Sequence, residues 1–183
     1  GYQSQNKERV LQMVAALYQA MVNLQLVYSA MPASFEQQGQ RIRLADQVLT
    51  TGFGNCIDVS LLFAACLEAI NLNPILVITQ EHAFVGVWLE DLRFNDTITH
   101  DVTALTKRIA SGIKEIALIE ATNLCKGTAL SFKEAMLSAD AQIMQIHKFS
   151  MAIDVKNARS KGIHPLPFLN TNEISANADL SEN

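Results

Sequence analysis

Cys56 follows the Gly-punctuated turn "GFGN" and heads a long apolar run, and His82 comes only one helix and one strand later. The thiolate is the nucleophilic form of cysteine, and a free thiol has a pKa of about 8.5. The first turn of a helix offers unpaired N–H groups and the positive end of the macrodipole, both of which favour a thiolate. Gly52 and Gly54 let the backbone turn sharply ahead of that helix. An imidazole folded back over the turn would take the thiol proton and form the activating ion pair. A third group would then have to hold the ring in one tautomer. Cysteine is also among the residues most often buried. The residues alone therefore leave two readings of Cys56 and His82 open, a catalytic pair and ordinary core packing.

The remaining reactive side chains have plainer explanations. Cys66 lies mid-helix, where the dipole gives no help, and reads as core. Cys125, in "NLCKGT", reads as structural. His100, His147 and His164 have no nucleophile near them in sequence and read as surface or capping residues. A metal hydrolase using His82, His100 and Asp96 lacks the helical His pair at ligand spacing that would support it. Asp58, two residues after the cysteine, reads as a stabiliser of the helix N-terminus. Trp88 is the only Trp. It alternates with Val87 on the histidine strand, where it would either wall the site or pack the sheet.

Positioning these groups requires a particular run of elements. Residues 6 to 30 carry Val10, Met13, Val14, Leu17, Met21 and Leu24 at three- and four-residue steps, predicting one amphipathic helix capped by Asn6 and ended by Pro32. "PASFEQQGQRIR" reads as a polar surface loop. "LADQVLTTG" reads as a short helix stopped by Gly52, and Cys56 to Ile70 as a buried helix, apolar nearly all round. "PILVITQ" and "HAFVGVWL" read as two strands joined at a tight corner. "DVTALTKRIASG" reads as a helix with Asp101 near its start. "KEIALIEAT" reads as a strand, and "LSFKEAMLSADAQIMQ" as a helix capped by Ser131. "KFSMAIDV" is a half-buried strand, "KNARSKG" one or two helical turns, and "IHPLP" extended. Hairpin-length links favour an antiparallel sheet with helices packed on it, an α+β layout. The expected organisation is one domain over residues 1–168 and a polar, disordered tail over 169–183.

Composition narrows the classes further. At 183 residues the chain is long enough for a sizeable core without staples. A formal net charge of −4 and the lack of any Lys/Arg run argue against a nucleic-acid surface. Three widely spread cysteines make neither a disulfide framework nor paired metal-ligand spacing. The expected setting is reducing and cytoplasmic. No apolar run reaches membrane-spanning length and no signal peptide is visible. The chain opens at Gly1 without a Met, and the expectation is a domain cut from something larger.

The segment "VLTTGFGNCIDVSLLFAACLEAINLNPILV", followed by "EHAFVGVWLE", resembles the core of the transglutaminase-like superfamily, the papain-related Cys-His-Asp fold. Gly54, Cys56, Asp58, Leu67, Pro74, His82, Ala83 and Phe84 fall on that pattern, over about residues 40 to 125. More narrowly, "PASFEQQGQRIRLADQVL", "IEATNL" and "FSMAIDVKNARSKGIHPLP" resemble the transglutaminase-like segment of large bacterial proteins that also carry superfamily I helicase modules. The resemblance implies a cysteine catalyst with no metal or organic cofactor and a protein or peptide substrate. It implies helicase modules of the same parent chain as partners, with no direct nucleic-acid or membrane binding by this domain. Cys56 would attack an amide or ester carbonyl and His82 would carry the proton. The product thioester would pass to water or an amine, hydrolysis of a peptide or isopeptide bond being the more economical outcome. The third member implied by strand order is Glu120, with Asp96 as the alternative. Glu120 departs from the pattern because Glu replaces Asp and because residues 91 to 114 intrude between the strands. For the oxyanion, the backbone N–H of Cys56 and a side-chain amide from Gln37, Gln38 or Gln40 are implied, Gln40 being favoured by its Gly39 neighbour. The competing reading is a non-catalytic protein-interaction module on the same scaffold.

Overall fold

The computed structural model describes residues 1–29 and 42–165. Most of the "PASFEQQGQRIR" loop, with Gln37, Gln38 and Gln40, lies outside the described residues, as does the 169–183 tail.

Helix α1, Lys7–Val22, is capped by Asn6, whose side chain accepts from the Arg9 amide at 2.9 Å. It buries Val10, Val14, Tyr18 and Met21 in one stripe. The apolar pattern predicted a helix to about residue 30, but it stops at Val22. Gln25 takes a left-handed φ of 53°, which no helix can continue through. Leu26 turns into the core, and Val27–Tyr28 become a short strand, β1. Helix α2, Ala45–Thr51, ends at Gly52, whose φ of 72° needs no Cβ to be avoided. Strand β2, Phe53–Gly54, pairs parallel to β1 and runs directly into helix α3, Cys56–Ala69.

The main sheet is built from β3 (Pro74–Thr79), β4 (Ala83–Trp88), β5 (Ile98–Thr99), β6 (Ile116–Ile119) and β7 (Phe149–Asp154). Its order is β5-β7-β3-β4-β6, and every neighbouring pair is antiparallel. Helix α4, Thr103–Ile109, lies in the β5–β6 crossover. Helix α5, Phe132–Ile143, follows β6, and helix α6, Val155–Ser160, follows β7. Ser131 caps α5 through a capping box with Glu134. The protein is thus α+β with a small antiparallel sheet, in which only β3 and β4 are joined by a hairpin-length link and the other pairings form across longer connections.

Alternation along the strands divides the core in two. Val85, Val87, Ala117 and Ile119 join the side of α1 and α3, with Val14, Tyr18, Leu62 and Phe63. Phe84, Trp88, Ile116 and Leu118 join the opposite side, with Leu105 of α4 and Ile143 of α5. Strand β4 is buried along its whole length, so its two ends are the places where polar groups must be accommodated. Among the described residues, no helix is long and apolar enough to cross a membrane.

Candidate active site

Cys56 is the first residue of α3. Asn55 caps the helix by accepting from the Asp58 amide at 3.0 Å, and Asp58 returns the contact to the Asn55 amide at 3.1 Å. Asp58 does more than stabilise the helix start. Its fully buried carboxylate also accepts from the Arg43 amide at 2.8 Å and from Arg43 Nη1 at 2.8 Å. The segment before α2 and the turn before Cys56 are therefore clamped to one carboxylate. Gly54 completes the fit. A Cβ there would stand 3.0 Å from Val59 Cγ2 and 3.3 Å from Asp58 Cβ, so any larger residue would push those side chains back from β2.

His82 closes the β3–β4 corner. Its carbonyl accepts from the Thr79 amide at 2.8 Å, and its ring stacks against buried Phe84 at 6.4 Å. Glu120 ends β6. The β4–β6 register pairs Val85 with Ile119. Continuing it puts Glu120 beside Phe84 and diagonally next to His82, within reach of a long side chain. The His82 Nε2 to Glu120 Oε2 distance is 2.8 Å. The ring also lies beside the Cys56 thiol, close enough for each group to shift the other's pKa. With Nε2 taken by the carboxylate, Nδ1 is the nitrogen left for sulfur. Glu120 and Asp96 were both open as the third member. The structure joins Glu120 to the ring and leaves Asp96 exposed on the turn before β5.

Glu120 is held on all sides. Its Oε1 accepts from the Thr122 amide at 3.0 Å and the Thr122 hydroxyl at 2.7 Å, and Gln142 Nε2 of α5 donates to Oε2 at 2.5 Å. The side chain is 3 % exposed. Burial pushes its carboxyl up, yet the hydrogen bond and charge of His82, with the Thr122 donors, outweigh burial and hold it below the usual carboxylate range. Burial likewise opposes a charged His82, but its bonds to Cys56 and Glu120 raise the ring to about 9. For Cys56 burial again favours the neutral thiol. The contact and charge of His82 and the backbone N–H groups of Ala83 and Ile57 overcome it, and the thiol falls below its ordinary value. All three shifts run toward the charged forms of the sulfur, the ring and the carboxyl.

The other cysteines lack this help. Burial alone raises Cys66. Cys125 is fully buried and is pushed up to about 11 by burial and by the charge of Glu120. His100 bonds the Ser150 carbonyl through Nδ1 at 2.8 Å, and His147 and His164 are exposed. No three His, Cys, Asp or Glu side chains are grouped as metal ligands among the described residues.

Trp88 does not wall the cleft. It stands at the far end of β4, 1 % exposed, with Nε1 donating to Asp154 Oδ2 at 3.0 Å, so sheet packing is its role. Gln40 lies outside the described residues. Sequence reasoning missed Gln142, Arg43 and Tyr28. Tyr28, on β1, places its phenol near Cys56, and burial first and then that neighbour raise its pKa. Its signal was masked because residues 23–28 continue the apolar period of α1.

A polar cleft of about 1050 Å³ opens elsewhere, lined by Tyr2, Asn73, Asp91, Lys156, Glu68 and Arg159. Within it Arg159 pairs with Glu68 and Lys156 with Asp91. Comparison with known proteins returns no matching family model, no matching curated protein and no matching solved structure.

Proposed function

We propose that this chain is a cysteine-dependent acyl-transfer enzyme on a transglutaminase-like, papain-related fold, hydrolysing a peptide, isopeptide or other amide bond. The observation that carries the reading is the relay itself. One imidazole lies between a thiol at the first position of a helix and a buried carboxylate, in the chain order Cys56, His82, Glu120. Such an arrangement is costly to build for packing alone, because the buried Glu120 carboxylate needs its partners to offset desolvation.

The Cys56 thiolate attacks the carbonyl carbon, and the carbonyl π pair moves to oxygen. That pair returns as the C–N bond breaks, with the imidazolium of His82 delivering its proton to the departing amine. Neutral His82 then takes a proton from water, whose oxygen attacks the thioester. Collapse of the second tetrahedral adduct releases the acid and restores the thiolate and imidazolium. Glu120 keeps the ring in one tautomer and stabilises its charge. The substrate is a protein or peptide segment, and a reducing, cytoplasmic setting keeps the thiol free. The helicase modules of a parent chain are its proposed neighbours.

Iodoacetamide labelling at about pH 6 tests the proposal, since an ordinary thiol with a pKa near 8.5 is almost wholly protonated there. Cys66 is the fair comparator because it is half-buried like Cys56. Cys56 should label at least tenfold faster, and His82→Ala should erase the difference. Equal labelling of Cys56 and Cys66 would leave the interaction-module reading in its place.

A further inference from the structure

We propose that the phenolic hydroxyl of Tyr28 is an oxyanion donor of this site, binding the substrate carbonyl oxygen as that oxygen takes on charge. The inference rests on the acyl-transfer reading above and adds to it a residue that touches substrate.

Three tyrosines occur in the chain, and two are structural. The Tyr18 hydroxyl donates to the carbonyls of Asn123 and Leu130 at 2.8 and 3.1 Å. The Tyr2 hydroxyl donates to the Trp88 carbonyl at 2.9 Å and accepts from the Asn73 amide at 2.8 Å. Both rings tie distant backbone segments together. Tyr28 differs in two respects. Its phenol lies near Cys56, and the residue is 39 % exposed, so an incoming substrate can reach it.

The backbone holds Tyr28 at this spot from both sides. Strand β1 pairs Tyr28 with Gly54, two residues before Cys56, with the Val27 and Ser29 amides bonded to the Gly52 and Gly54 carbonyls at 2.8 and 3.0 Å. On the other side the Lys126 amide donates to the Leu26 carbonyl at 2.7 Å, fastening β1 to the turn that follows Glu120. Paired residues on neighbouring strands point to the same side. Gly54 has no side chain, and Val59 and Asp58 lie on that side. The phenol of Tyr28 is therefore directed over the start of α3. Burial raises the phenol above its ordinary value, so it remains a proton donor throughout the working range.

A donor beside Sγ is also beside the oxygen that ends two bonds from it. In the resting site the hydroxyl faces the thiolate. As sulfur attacks, the negative charge passes to the carbonyl oxygen, and the hydroxyl needs only to rotate to follow it. The Cys56 N–H, at the first position of α3 where no intrahelical acceptor exists, is the companion donor.

Acylation and alkylation separate this role from the alternatives. Acylation by p-nitrophenyl acetate passes through an oxyanion, whereas displacement of iodide from iodoacetamide does not. Tyr28→Phe in the full chain should slow the p-nitrophenolate burst by about 10²–10³-fold, while Cys56 alkylation on its pH plateau stays within about threefold. Gln40→Ala should slow the burst far less than Tyr28→Phe. An unchanged burst in Tyr28→Phe overturns the proposal, as does a larger loss in Gln40→Ala. Equal losses of acylation and alkylation would make Tyr28 a support of the thiolate, and gains in both would make it a cover. Should Tyr28→Phe fail to fold, 3-fluorotyrosine at position 28 decides: a more acidic phenol should speed the burst and leave alkylation unchanged. A burst indifferent to fluorination overturns the proposal. Failure of the acyl-transfer reading itself is distinguishable, because the wild type would then show neither a burst nor preferential labelling of Cys56.

Discussion

Strand β4 has a buried carboxylate at each end, and the two ends behave oppositely. At the Trp88 end Asp154 is fully buried and accepts from Trp88 Nε1, from the Phe94 amide at 2.7 Å and from the Asn157 amide at 2.8 Å. Arg108 lies over both the Trp88 and Phe94 rings at 5.6 Å. The groups that donate to Asp154 are neutral and have no chemistry of their own. At the His82 end Glu120 is as well satisfied, but its chief partner is an imidazole that also faces a thiol. Burial and saturation of a carboxylate therefore do not by themselves mark a site. What marks it is a partner whose protonation can change and which passes that change to a nucleophile.

The sharpest way to break this contrast is to remove one member at each end. Asp154→Ala leaves an indole N–H and two amides without their acceptor, and urea unfolding should show a loss of about 3 kcal/mol or more. The folded fraction should keep its rate of Cys56 labelling. His82→Ala should do the reverse, removing preferential labelling with a smaller change in the urea midpoint, because Thr122 and Gln142 still donate to the Glu120 left without its cation. Similar stability losses at both ends would make the His82 end a second structural network.

Glu120→Gln is the next largest effect. It preserves side-chain shape but removes the charge that helps raise His82. The burst rate with p-nitrophenyl acetate should fall by about 10²–10⁴-fold, the scale of acid–base assistance. The pH profile carries the sign. In the wild type the rate should rise on the acid side below the ordinary thiol range, as Cys56 ionises, and fall at about pH 9 as His82 loses its proton. Without the carboxylate the alkaline limb should move to lower pH. An alkaline limb that stays in place would mean that Glu120 does not govern the ring.

The smallest effect belongs to Gln142→Leu, which removes one donor to Glu120 from α5. A hydrogen bond of this kind contributes about 1 kcal/mol net. The burst rate should fall about fivefold, with the alkaline limb slightly displaced and stability to urea lower by about 1 kcal/mol. A loss as large as that of Glu120→Gln would show that α5 sets the carboxylate's position outright.

The helix–strand plan was readable wherever the signals were local. Gly52 stops α2 and Asn55 caps α3, while Ser131 opens α5, each through contacts within one turn. Gln25 shows where local reading fails. Its apolar surroundings continue a helical period, and the chain leaves the helix there because β1 finds a partner in β2, a pairing between residues far apart in sequence. Trp88 fails in the same way. Its alternation with Val87 is local, but which end of β4 holds the site depends on where α3 begins. Asp58 was legible as a helix-start charge, while its hold on Arg43 was not.

From the sequence alone came the place of Cys56 at the head of a helix, the strand that presents His82 and the carboxylate that ends β6, because caps, turns and alternation act over a few residues. Tertiary structure alone decided that Glu120 and not Asp96 meets the imidazole, that Tyr28 reaches the sulfur and that Gln142 backs the carboxylate. Those meetings depend on sheet register and on a short parallel ribbon. Register is set by burial summed over whole strands, which no single stretch of residues encodes.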